Sequence, residues 1–277
     1  MKKRACFGIV GASCLAVMSG ASAGVINTVV DTTLAGATVD QVVNGGEYIA
    51  TVSGGGGGFG GPVGGATLSV DSDLNGINLA LSNLGNYGGN SIRIYFDSKP
   101  GGFTTLSSAA GLNDFADFGR ERISRPASGG LTLPFAADYG LIISDAFGGF
   151  QAHFELVAGG NNSLIASNTG NIYTDPDTGD DGVDSVVETF ISYANLGMSA
   201  GATVDFVVIY ANNNSQDSAF LSNEGFPFQG FVANPGSGPV TLNDFHRLTT
   251  VVPEPASLGL VGLGAISLLA RRRRQQH

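Results

Sequence analysis

From residue 48 onward, apolar and polar side chains alternate with a period of two in one short segment after another. Tyr48-Ile49-Ala50-Thr51-Val52, Ala66-Thr67-Leu68-Ser69-Val70, Ile77-Asn78-Leu79-Ala80-Leu81 and Ile92-Arg93-Ile94-Tyr95-Phe96 all read this way. Successive side chains of a strand point to opposite faces, so this spacing puts one face in a core. Asn75-Gly76 and Gly88-Gly89-Asn90 supply turn residues before two of the segments. Residues 138–144, 150–157, 186–193 and 240–250 read as further strands. Residues 204–210 are almost continuously apolar, as expected of a central strand buried on both faces. Leu221, Phe226, Phe228 and Phe231 fall in a stretch that reads as loop. One helix is expected within residues 112–124, with Asn113 or Asp114 as its cap and Phe115 and Phe118 three apart. The expected fold class is all-β, a single glycine-rich β-sandwich of jelly-roll type.

Two apolar segments bracket these strands. Residues 5–19 follow Lys2, Lys3 and Arg4 and lead to Ala21-Ser22-Ala23, a small-x-small pattern cut before Gly24 in a signal peptide. At the other end, Pro253-Glu254-Pro255 precedes an apolar run over 256–270 and then Arg271, Arg272, Arg273 and Arg274. As a helix that run would be about 22 Å long, short of a hydrocarbon core of about 30 Å. It spans if the arginines snorkel and Val251-Val252 contributes. Positive clusters stay on the cytoplasmic side, so both ends leave charge inside and the middle crosses. Pro253 and Pro255 hold the backbone extended beside the membrane, where a processing enzyme can grip it. The expected organisation is a signal peptide over 1–23, a β-sandwich ectodomain over 24–250 and a sorting signal over 251–277. A signal helix and a short transmembrane helix flank the sandwich.

Val252-Pro253-Glu254-Pro255-Ala256-Ser257, the run 258–270 and the four arginines resemble the PEP-CTERM sorting domain. The resemblance implies recognition by an exosortase, a membrane-embedded cysteine-protease-like enzyme of Gram-negative bacteria. It also implies an inner-membrane-anchored precursor, removal of the tail and delivery to the cell surface or extracellular matrix. It implies nothing about the other nine-tenths of the chain. The block 90–103, Ala137-Asp138-Tyr139-Gly140-Leu141-Ile142 and Leu221-Ser222-Asn223-Glu224-Gly225 look like an uncharacterised secreted β-module of bacterial surface proteins. That likeness implies a sandwich and no activity.

Between residues 24 and 252, six cations (Arg93, Lys99, Arg120, Arg122, Arg125 and Arg247) stand against 22 carboxylates, a net charge of −16. A surface of that sign repels nucleic acid and anionic lipid, so no nucleic-acid partner is expected. Both cysteines, Cys6 and Cys14, precede the cleavage site, which leaves the mature chain without disulfide or thiol chemistry. Residues 53–65 hold nine glycines and read as a mobile surface loop. They lack the Lys-Ser/Thr ending of a phosphate loop. Residues 234–239, rich in Pro and Gly, read as a linker.

The strongest candidate for a bound ion is the acidic segment from Asp175 to Glu188. Counted from Asp177, acids fall at positions one and five, Gly at six and Glu at twelve, as in an EF-hand loop. Gly179 breaks the pattern at position three, Asp184 replaces the usual apolar residue, and the preceding residues do not read as helix. Two readings remain: a looser Ca²⁺ loop using Asp175, Asp177, Asp181 and Glu188, or a solvated acidic turn.

Catalytic constellations are sparse. His153 and His246 have no second histidine at metal-ligand spacing; the first reads as a packed strand residue and the second as a surface residue. The G-x-S-x-G string at 20–24 straddles the cleavage site and cannot be a nucleophile elbow. Asp97, Glu155, Glu188 and Glu224 are dispersed carboxylates without distinguishing context. The expectation is a non-enzymatic exported protein of the cell surface or extracellular matrix, with an exosortase as processing partner and the membrane as partner before processing. The alternatives are a Ca²⁺-dependent module that binds matrix polysaccharide through Tyr and Phe rings, and a glycoside hydrolase.

Overall fold

The computed structural model describes residues 24–86, 89–112, 114, 116–144, 150–159, 162–167, 172–174, 186–214 and 218–252. The expected signal and transmembrane helices lie outside these residues. The strands are β1 (Gly24–Val30), β2 (Ala50–Ser53), β3 (Thr67–Ser72), β4 (Gly76–Ser82), β5 (Ser91–Asp97) and β6 (Phe103–Leu106). A short helix, α1 (Phe118–Ser124), is followed by β7 (Leu131–Ala137), β8 (Tyr139–Ser144), β9 (Phe150–Glu155), β10 (Ser163–Ser167) and β11 (Ile172–Thr174). Then come β12 (Val186–Ser192), β13 (Thr203–Ala211), β14 (Leu221–Phe226), β15 (Val240–Thr241) and β16 (Asp244–Thr249). The protein is mainly β, as its alternation implies.

An eight-stranded sheet runs β1-β16-β13-β5-β8-β9-β10, with β14 also on β13. A five-stranded sheet runs β11-β12-β4-β3-β2, and a three-stranded one β15-β7-β6. The β1–β16 and β15–β7 pairs are parallel and the others antiparallel. Strand β13 organises the large sheet. One edge pairs with β5 along Asp205–Ala211; the other is shared, with β16 against residues 203–206 and β14 against residues 208–211.

The alternation of β13 explains why it reads as continuously apolar. Val204, Phe206, Val208 and Tyr210 enter a core shared with Leu68, Leu79 and Leu81 of the five-stranded sheet. Val207, Ile209 and Ala211 enter a second core with Leu131, Leu133 and Phe135 of β7 and Ile123 of α1. Each face of the large sheet is therefore covered, one by the five-stranded sheet and the other by the three-stranded sheet with α1.

The helix begins later than its sequence suggests. Asp117 is the cap, accepting from the Arg120 amide at 2.9 Å, while Asp114 instead accepts from the amides of Ala116 and Asn162. The buried Arg93 holds the helix end by donating Nη1 to the Arg122 carbonyl, and Tyr95 donates its hydroxyl to the Ile123 carbonyl. Gly140 makes this docking sterically feasible, since a Cβ there would lie 2.4 Å from Ile123 Cγ1. The 234–239 segment is not a free linker. Gly236 exchanges backbone hydrogen bonds with Leu221, and Ser237 accepts from the Gly129 amide. The closing segment 240–250 is two strands, β15 and β16, broken at Leu242 and Asn243.

Both histidines are internal. His153 is 3% exposed, against the rings of Phe96 and Tyr139, and His246 is 2% exposed against Phe206. The surface position expected for His246 is thus corrected: on β16 it faces Phe206 of the adjacent strand. Among the described residues, neither His246 nitrogen has a hydrogen-bond partner. Burial pushes both imidazoles down to about 4. A folded value below the unfolded one gives stability that is complete above the unfolded value of about 6.5. It is lost as the pH falls towards 4. Burial pushes Asp71 and Asp97 the other way, up to about 6. Their contribution is present below the unfolded carboxylate value and lost as the pH rises through 6. The opposing shifts share one pH window, so a single replacement exposes either. His246→Leu is expected to remove on the order of 2 kcal/mol of destabilisation between pH 8 and pH 5. Urea unfolding midpoints at the two pH values check this.

Candidate functional site

The described residues that converge on one place are the glycine-rich strap after β2 and the strand β14. Glu224 of β14 is buried, and its carboxylate accepts from the amides of Gly61, Val63 and Gly64 at 3.2, 2.8 and 3.2 Å. Burial raises its pKa from the ordinary carboxylate value, and the three amides act against that rise. Asn223 Oδ1 accepts from the amides of Gly57 and Gly58. Gly55 and Gly225 form an antiparallel bridge. The Phe59 ring packs against Tyr210 and Phe220, each at 5.6 Å between centroids. The strap is therefore tied down along its length, not the mobile loop its composition suggests. Glycine is needed where it crosses β14: Gly56 has φ +98°, and a Cβ there would lie 2.4 Å from the Asn223 carbonyl oxygen.

Beside the strap lies an open concavity of about 490 Å³. Glycines 56–58 form one side, and Asn223, Asn234, Phe228, Phe231 and Val232 contribute to the rest. A second concavity, of about 380 Å³, includes Asp97, Lys99, Asp205 and Arg247. Asp97 and Asp205 face each other across β5 and β13, and Arg247 follows on β16. Burial, with the charges of Asp138 and Asp205 beside it, pushes the Asp97 carboxyl up to about 6. Arg247 grips both Asp205 oxygens, from Nε and Nη2, each at 2.6 Å. That fork occupies both oxygens of Asp205.

The carboxylates singled out from sequence take structural positions. Glu188 of β12 is buried; it accepts from the Tyr48 hydroxyl at 2.6 Å and from the amides of Asp40 and Gln41 at 2.8 and 2.6 Å. Glu155 pairs with Lys99, whose ammonium also lies 4.7 Å from the Tyr139 ring centroid. The remaining candidate calcium ligands, Asp175, Asp177 and Asp181, lie outside the described residues. So do Ala21, Ala23, Pro253, Glu254, Pro255 and Arg271 to Arg274. Among the described residues no group of three or more His, Cys, Asp or Glu is placed to hold a metal ion. Nor is any described helix long and apolar enough to cross a membrane.

Gly24, the residue expected to follow signal cleavage, opens β1. Its amide donates to the Asn243 carbonyl at 2.8 Å, and a Cβ there would sit 2.8 Å from Asp244 Oδ1. At the other end Val251 is buried and its amide donates to Ser72 Oγ, while Val252 is 63% exposed. Residues 251–274 match the family described as the PEP-CTERM protein-sorting motif. The chain carries a PEP-CTERM motif. Such a motif implies an exported protein, anchored through its C-terminal segment and processed by an exosortase. No curated protein and no solved structure gives a significant match to the chain. The PEP-CTERM match begins at Val251, the last buried residue among the described ones.

The strap and β14 were not legible as a unit, because Glu224 reads as an isolated acid and the glycines as a loop. The available signal was an acid beside Asn within a strand-length segment, in a chain whose glycine-rich stretch needs partners for its amides. Glu224→Ala leaves the Val63 and Gly64 amides without an acceptor, while the Gly61 amide keeps the Gly58 carbonyl at 3.0 Å. At about 1–3 kcal/mol for each buried unsatisfied group, a loss of about 2 kcal/mol or more is expected. Glu224→Gln keeps one acceptor oxygen and is expected to lose less. Denaturant unfolding of the two variants measures both.

Proposed function

We propose that the chain is a non-enzymatic exported protein. Its precursor is held in the inner membrane by the C-terminal apolar run, trimmed by an exosortase and delivered to the cell surface or the extracellular matrix. There its β body meets extracellular polysaccharide. The observation that carries this reading is the sorting motif itself, which starts at Val251 and Val252, the last described residues. The core between the two larger sheets supports a sandwich as the frame of the exported body, with the three-stranded sheet and α1 as an added layer.

The non-enzymatic reading is supported by the fate of the candidate groups. Of the four dispersed carboxylates, Glu188 and Glu224 are occupied by backbone amides and Glu155 by Lys99, and the two histidines lie in apolar surroundings. Calcium at Asp175, Asp177, Asp181 and Glu188 is supported by acidic spacing alone. Three donors already fill three of the roughly four acceptor positions on Glu188.

Mass spectrometry of the surface-delivered chain tests the proposal. In an exosortase-competent host the mature species is expected to begin at Gly24 and to lack Arg271 to Arg274. The exosortase-deficient host should retain the tail in the inner membrane. An intact arginine tail at the surface of the competent host contradicts the reading.

A further inference from the structure

The concavity beside the strap has a composition unlike the rest of the body. Its lining holds glycine, alanine, asparagine, phenylalanine and valine and no charged side chain, although residues 24–252 carry a net charge of −16. Two apolar side chains are held out at it. Phe228 is 43% exposed and Val232 is 99% exposed. Isolated exposed apolar residues need no explanation, but these two share one rim of one concavity.

The loop that presents them is fixed from both sides. Gln229 donates Nε2 to the carbonyls of Pro227 and Asp244 at 3.0 and 2.9 Å, and its Oε1 accepts from the amides of Asn243 and Asp244 at 2.9 and 3.1 Å. Asn223 donates Nδ2 to the Phe231 carbonyl at 3.2 Å. A surface ordered in advance loses little further freedom when a ligand binds. The opposite wall is equally fixed through Asn223 Oδ1 and Glu224. At Gly57 a Cβ would meet nothing within 4 Å, so the space above that wall is open.

One polar group is left to act. Asn234 Oδ1 accepts from the Asn223 amide at 3.1 Å and from Ser222 Oγ at 3.4 Å. Its Nδ2 has no partner among the described residues, so it offers a donor at the concavity. A pyranose presents an apolar C–H face and a rim of hydroxyls. The face fits an exposed aromatic ring, a hydroxyl fits a carboxamide donor, and a side-chain-free wall lets a sugar chain lie close. An acidic sugar would find no countercharge in the lining and an acidic body around it.

We propose that this concavity binds a neutral polysaccharide chain, with Phe228 as the stacking platform and Asn234 as a hydroxyl partner. The inference rests on the polysaccharide contact proposed above for its ligand class, and on the geometry alone for its place. No carboxylate lines the concavity, so binding here needs no calcium.

The test uses the full chain, purified in a zwitterionic detergent without a sugar head group. It is titrated calorimetrically with neutral gluco-, galacto- and manno-oligosaccharides of both anomeric linkages and with an alginate oligomer. The expected result is saturable binding to a neutral oligosaccharide, unchanged by chelator, at least tenfold weaker in Phe228→Ala and in Asn234→Ala, and retained in Phe228→Tyr. Phe228 Cβ, Cγ and Cδ2 all lie over Gly55, so Phe228→Ala is expected to lower the unfolding midpoint modestly while the chain stays folded at the temperature of the titration. Absence of saturable binding to every neutral oligosaccharide overturns the proposal, as does equal binding by Phe228→Ala or a preference for alginate. Self-association in the ultracentrifuge that disappears in Phe228→Ala also overturns it, by assigning the rim to a second copy. Because the chain is purified, failure here with correct tail removal in cells sinks this site and leaves the export reading standing.

Discussion

Buried carboxylates that accept backbone amides hold this protein together. Its long connections are rich in glycine and small polar residues, which have little side chain to pack. Their amides still need acceptors once they are out of water. Acids on the strands or at their ends meet that need. Glu224 takes three strap amides, Glu188 takes two amides of the 40–41 turn and a tyrosine hydroxyl, and Asp138 takes the amides of Ser98 and Lys99. Asp31 ties Ser72 to the end of β1, and Asp71 takes the Ala37 amide. Each anion loses solvation, and the charge-assisted hydrogen bonds offset that cost. The arrangement also changes what the acidic composition means. Asp31, Asp71, Asp114, Asp138, Glu188 and Glu224 are all buried, so the acidity counted from sequence is divided between an outer surface and internal anchors.

The sheets supply the rigid frame on which those anchors stand. Strand β13 is the member that both cores depend on, because its alternate side chains enter one core or the other. Its shared edge places β14 beside β16, which brings the strap, the Phe228 loop and the end of the fold onto one sheet. Parallel pairing of β1 with β16 sets Gly24 beside Asp244 and Val30 beside Thr249. The first and last strands of the described body are thus neighbours, and the chain leaves for the sorting motif within a few residues of Thr249.

The legible parts of the fold were those where one face is apolar and the other is not. Segments such as 77–81 and 92–96 became β4 and β5 because period-two alternation survives any tertiary context that buries one face. Strand β14 escaped because Ser222, Asn223 and Glu224 are polar and the strand ends in Gly225-Phe226, a pattern typical of a loop. Its burial comes from the strap above it, a long-range partner that no local window contains. Strand β1 escaped because its residues follow the signal segment and its sheet partner among the described residues, β16, is some 220 residues away. The helix cap slipped from Asp114 to Asp117 because three nearby polar residues offer equivalent local signals, and the remote contact of Asp114 with Asn162 decides among them. The sorting motif was legible in full because its recognition depends on linear order and not on packing.

Amide hydrogen exchange tests the anchoring claim most directly. The amides of Gly61, Val63 and Gly64, and those of Asp40 and Gln41, lie outside strands and helices and are held by Glu224 and Glu188. The account predicts that these amides are protected to within about tenfold of the slowly exchanging amides of β13. Exchange at the rate of an unstructured glycine-rich chain at these positions would contradict it.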